Sequence, residues 1–151
     1  MKAALSIFFL ILTMDVYAQQ LVISSGLERT VSGTESHFAS GYQTKKQWSL
    51  GVFYQTKITT PPFERSRNEV GKDEWYGVYL NAPLAKSQRI TLYAHIRVGL
   101  MNENFLMIAP SLETKVRLAK WAAVSVGSSY RQGYPAFSLK AHIHLFNLIS
   151  L

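Results

Sequence analysis

Two short stretches carry paired side chains with chemical reach: His95 with Arg97, and His142 with His144. Alternate residues of a β-strand share a face, so each pair points one way. Two histidines on one face suit a transition metal, and His95 would supply a third imidazole. A histidine beside a serine and a carboxylate would suit acyl transfer instead. Other charged residues keep the same alternation. Glu113, Lys115 and Arg117 form one run, and Lys140 stands two residues before His142. Together, His95, Arg97, Glu113, Lys115, Lys140 and His142 make one candidate polar network. Its simplest chemistry is mutual neutralisation and hydrogen bonding within a closed structure, because buried polar groups are normally satisfied by their neighbours. No metal or cofactor is expected.

Strands must position these residues, and the hydropathy pattern supplies them. Ile90, Leu92, Ala94, Ile96, Val98 and Leu100 are apolar at every second position, with Thr91, Tyr93, His95, Arg97 and Gly99 between them. Such a segment has one greasy and one wet face. Eight stretches read as strands: 21–31, 35–44, 48–57, 74–84, 89–101, 105–118, 122–131 and 136–146. The first is the least regular. Most are long enough to cross a bilayer core at a tilt, which takes about 9–11 residues.

The N-terminus carries Met1-Lys2, an apolar run from Ala3 to Met14, and small residues at Val16 and Ala18. This is the pattern of a secretory signal peptide cut after Ala18, leaving residues 19–151 as one domain. The apolar run is too short for a membrane helix, which needs about 20 residues. With no cysteine in the chain, an exported fold here cannot depend on disulfides. Without a membrane helix, a membrane form must be a closed barrel, since only helices and barrels satisfy the backbone in lipid.

Loops and aromatics agree with that reading. Connections at 45–47, 85–89 and 119–121 are short, whereas 58–73 is long and carries Pro61, Pro62 and Gly71 among charges. Short turns on one side and longer loops on the other are the habit of outer-membrane barrels, and an even strand number puts both termini on the short-turn side. Tyr42, Trp48, Trp121 and Phe146 fall near one rim. Tyr54, Trp75, Tyr76, Phe105, Tyr130, Tyr134 and Phe137 fall near the other. Two such belts are expected at the headgroup levels.

On these features, with strands such as Trp48–Gln55, the chain resembles the small outer-membrane barrels of the OmpA/OmpX type. The resemblance implies an eight-stranded antiparallel up-and-down transmembrane β-barrel. It also implies outer-membrane lipid, lipopolysaccharide and the barrel-insertion machinery as partners. Such barrels commonly end on an aromatic residue, and this chain departs from that by ending Phe146-Asn-Leu-Ile-Ser-Leu151, with Phe146 on the parity of His142 and His144. Some barrels of this size deacylate lipid A with a histidine and a serine two residues apart. Here His37 and Ser40 are three apart, and His142-Ile-His144 lacks the serine, so no enzyme activity is expected. The net charge of +7 is scattered along the chain and does not mark a nucleic-acid surface.

An eight-stranded interior is just filled by side chains. The inward set then holds Arg97, Lys115, Arg117, Arg131 and Lys140 against Glu28 and Glu113. Tight registers across the last three strands would align Glu113, Gly127 and Lys140 in one row, so that Glu113 and Lys140 meet above the glycine. In the long loop, Glu64, Arg65, Arg67 and Glu69 are the candidates for contact with an external partner. The competing architecture is a soluble exported lipocalin-like barrel around an apolar ligand. It would turn Ile90, Leu92, Ile96 and Val98 inward and His95, Arg97, Lys140 and His142 to water.

Overall fold

The computed structural model describes residues 20–59, 74–131 and 133–145. The signal segment, the loop residues Glu64, Arg65, Arg67 and Glu69, and Phe146 lie outside the described residues. Eight strands follow in order: β1 (Gln20–Thr30), β2 (Gly33–Gln43), β3 (Ser49–Thr59), β4 (Glu74–Lys86), β5 (Ile90–Met101), β6 (Phe105–Arg117), β7 (Ala122–Arg131) and β8 (Tyr134–Leu145). Each pairs antiparallel with the next, and β1 pairs with β8, so the sheet closes into a barrel. Closure leaves no unpaired sheet edge between the first and last strands.

Turn chemistry fits the register. At one end, Asn102 and Glu103 both have positive φ, 50° and 64°, with Asn104 N donating to Met101 O at 3.2 Å. Positive φ at both central residues is the type I′ geometry, whose twist matches that of paired strands. At the other end, Thr44 N donates to Trp48 O and Gln47 N to Thr44 O, both at 2.9 Å. The ladder shifts between Pro83 and Ala85. Proline has no N–H for a ladder, so a bulge there accommodates it.

The two faces differ in kind. Leu50, Val52, Val78, Leu80, Ile96, Ile108, Val126, Leu139 and Ile143 are exposed on the outside. Inside, Glu28, Glu35, His37, Gln55, His95, Arg97, Glu113, Lys115, Arg131, Lys140 and His142 are all buried. The lipocalin-like arrangement is therefore not adopted. Ile90 and Ile96 are exposed outward, while His95, Arg97, Lys140 and His142 fill the interior. Most belt aromatics are exposed as the alternation predicts, including Tyr42, Trp48 and Trp121 at one rim and Phe105, Tyr130, Tyr134 and Phe137 at the other. Trp75 departs from the expectation. It is 1% exposed and points into the lumen, because it shares the inward parity of Tyr79 and Asn81.

Large and small side chains alternate along inward rows, which lets them interdigitate in a narrow lumen. One row runs Phe53, Gly77, Gly99, Met107. Another places Tyr79 beside Gly51, and Gly51 beside Gly41. A Cβ added at Gly41 would lie 2.5 Å from the Tyr79 hydroxyl, so that ring occupies the space two glycines leave. A Cβ at Gly77 would lie 2.1 Å from Val98 O and 2.4 Å from Gly99 Cα. Gly77→Val should destabilise the barrel by about 3 kcal/mol or prevent closure, since overpacking a filled core is costly. Urea unfolding of refolded protein checks this, with Ala94→Val on the outer face expected to unfold like wild type.

Candidate functional site

The lumen is the candidate site, and its charges form two layers. The layer nearer the long loop rests on Glu28 and Glu35, which face each other across β1 and β2. Two carboxylates side by side in a closed interior repel unless cations divide them. Arg97 Nη2 lies 2.9 Å from Glu28 Oε2, and Arg131 holds Glu35 through Nη1 and Nη2 at 2.6 and 2.7 Å. The Arg131 contact is a two-pronged fork, the strong geometry for this pair. Gln55 ties the two halves together: its Nε2 donates to Glu35 Oε2 at 2.7 Å, and its Oε1 accepts from Arg97 Nη1 at 2.7 Å. The Trp75 ring lies under both guanidinium groups, 4.7 Å from Arg97 and 5.2 Å from Arg131. A flat aromatic face stabilises such cations where water is excluded.

The second layer gathers on Glu113. Lys140 Nζ donates to Glu113 Oε2 at 2.6 Å, so the two heads meet. The route differs from the simple row. Glu113 pairs with Gly127, but Gly127 pairs with Ser138, and Lys140 stands opposite Ser125. Lysine's long stem makes the contact diagonally. His95 Nδ1 and His142 Nε2 approach the same carboxylate at 3.5 and 3.4 Å. Ser125 Oγ shares a 2.7 Å hydrogen bond with His142 Nε2.

That trio of serine, histidine and glutamate does not make a hydrolytic triad. Serine and carboxylate approach the same ring nitrogen, whereas a triad needs the acid on the opposite one. His37 faces the lumen and is buried, while Ser40 takes the opposite parity. Among the described residues, no three His, Cys, Asp or Glu side chains are placed to hold a metal ion.

The six network residues thus divide. His95, Glu113, Lys140 and His142 come together. Arg97 belongs to the other layer, and Lys115 lines one small pocket with those four while its ammonium lies 4.9 Å from the Tyr93 ring. Arg117, expected inward, is exposed at the mouth. Sequence reasoning missed Glu35, Gln55 and Trp75. For Glu35 a signal existed: it shares parity with His37 and Gln43, both buried.

Among the described residues the lumen has little free space except at the mouth beside Arg131 and Ala136, where a pocket measures about 270 Å³. Two pockets within it measure about 20 and 10 Å³, room for about one water each. A filled polar inside, an apolar outside and a closed ladder decide the class. The fold is that of a small transmembrane β-barrel.

Solved structures agree. A de novo designed transmembrane β-barrel superposes with TM-score 0.68 at 10% identity, covering 87% of this chain and 100% of the design. A second design, TMB2.3, gives 0.66 at 10% identity over 89% and 100%. Ail, the attachment invasion locus protein of Yersinia pestis, gives 0.51 at 8% identity over 84% and 97%. No family model matches the sequence, and no curated protein matches it. The likeness to barrels of the OmpA/OmpX type is one of architecture.

Removing one partner of a buried pair leaves an uncompensated charge, at a cost of about 3–5 kcal/mol. Glu113→Ala should therefore lower barrel stability by about that much. Adding Lys140→Met should return most of the loss. Urea titrations of the single and double variants measure the recovery, and a single variant as stable as wild type would contradict the pairing.

Proposed function

We propose that the protein is a non-enzymatic integral outer-membrane barrel with a structural or surface-interacting role, exported by a signal peptide cut after Ala18. The observation that supports this most is the inversion of the usual soluble pattern. A continuous apolar wall faces outward while paired charges fill the inside. In water that wall would be an aggregation surface, and in lipid it matches its solvent. In support, Ser125 and Glu113 approach the same nitrogen of His142, and the two inner pockets among the described residues hold about one water each.

In this reading the partners are outer-membrane lipid, lipopolysaccharide and the barrel-insertion machinery. The rims carry exposed tyrosine, tryptophan and phenylalanine at the depth where headgroups begin. The charged loop segment with Glu64, Arg65, Arg67 and Glu69 is where an external partner would bind, because a rigid barrel presents its long loop to the outside. Ail is by name an attachment invasion locus protein. What passes from Ail to this chain is the fold.

Cell-envelope fractionation followed by electrophoresis with and without boiling tests the proposal. The expected result is an outer-membrane band whose mobility changes on boiling, from a chain lacking residues 1–18. A periplasmic protein with a single mobility would contradict it.

A further inference from the structure

The described residues bury three carboxylates and four Lys or Arg cations in the lumen. Arg97, Arg131 and Lys140 answer Glu28, Glu35 and Glu113. Lys115 is the fourth cation. It is 7% exposed, yet among the described residues no carboxylate oxygen pairs with it. The Tyr93 face covers its ammonium. A ring takes up charge but carries no negative charge of its own to neutralise the ammonium.

Lys115 lines the pocket of about 20 Å³ at the mouth formed by the short turns. Arg89 and Arg117 line it as well, with Gln47, Thr91 and His144, and no described carboxylate does. With its amide oxygen turned to the cations, Gln47 accepts from Arg117 Nη2 at 3.1 Å and Lys86 Nζ at 3.3 Å, and its nitrogen donates to Thr91 Oγ1 at 3.3 Å. Lys86 and Arg117 thus meet at one neutral amide, beside the pocket that Arg89, Lys115 and Arg117 line. Uncompensated cations this close repel one another, and an anion would relieve that repulsion.

We propose that the exposed rim of this mouth binds an anionic phosphate group, one oxygen of which takes the space the pocket gives a single water. Phosphate oxygens accept from a lysine point charge and an arginine fork at once, which fits a mixed set of lysine and arginine. Two sources share that chemistry: free phosphate, and the phosphodiester of a phospholipid headgroup. Trp48 and Trp121 stand outward at this same end, at the headgroup depth. The lipid source rests on the membrane reading, and the free source does not.

Native mass spectrometry of the full mature protein in a phosphate-free detergent tests the site. Inorganic phosphate and phosphatidylglycerol are titrated separately at constant ionic strength. One saturable adduct is expected, at least about tenfold weaker in both Lys115→Met and Arg117→Gln, as for loss of a charge-assisted bond. Saturation by inorganic phosphate assigns the free source, and saturation by phosphatidylglycerol alone assigns the lipid. No adduct with either probe, or adducts that neither variant weakens, would overturn the proposal. Arg117 is exposed, so its variant keeps the fold even if the Lys115 variant does not. Boiled and unboiled gels of the same samples separate loss of the barrel from loss of the site.

Discussion

A charge inside a closed eight-stranded barrel has to be answered from inside the barrel, because the wall is backbone and the exterior is apolar. Most of this interior follows from that constraint. Glu28 and Glu35 are tolerated side by side because Arg97 and Arg131 divide them and Gln55 bridges the two halves. Glu113 is tolerated because Lys140 reaches it across a diagonal. Each such pair breaks about even against apolar residues of equal volume, so its main contribution here is to fix one arrangement of the lumen. The glycine rows serve the same end by making room for Phe53 and Tyr79 between the charged layers.

Much of the fold was legible because a strand's period of two is insensitive to tertiary detail. Ile90 through Leu100 could be assigned to one face with no knowledge of their neighbours, and β7 occupies the residues expected, Ala122–Arg131. Inward parity also placed His95, Arg97, Glu113, Lys115, Lys140 and His142 in the interior. Which inward residues touch was much less legible. Contacts depend on register, and register depends on turns and bulges that each move a strand by a residue or two. Lys140 opposite Ser125 rather than Gly127 is such a displacement.

Other departures have similar local causes. The position of Trp75 near a strand end suggests the rim, whereas its parity governs its direction. Arg117 has inward parity but stands at the end of β6, where the lumen opens and its long side chain reaches water. Glu35 has clean inward parity, but its outward neighbours Thr34 and Ser36 are themselves polar, so the hydropathy pattern there gives no apolar face to read it against.

The three tryptophans make the central claim directly measurable. Trp48 and Trp121 face outward at one rim, and Trp75 lies inside. Variants retaining one tryptophan each, refolded into vesicles whose lipids carry bromine on the acyl chains near the headgroup, report contact with lipid by fluorescence quenching. Quenching of Trp48 and Trp121 with Trp75 spared is the result this account predicts. Quenching of Trp75 with Trp48 and Trp121 spared, or no quenching of any of the three, would contradict a barrel whose apolar wall meets lipid and whose charges meet one another.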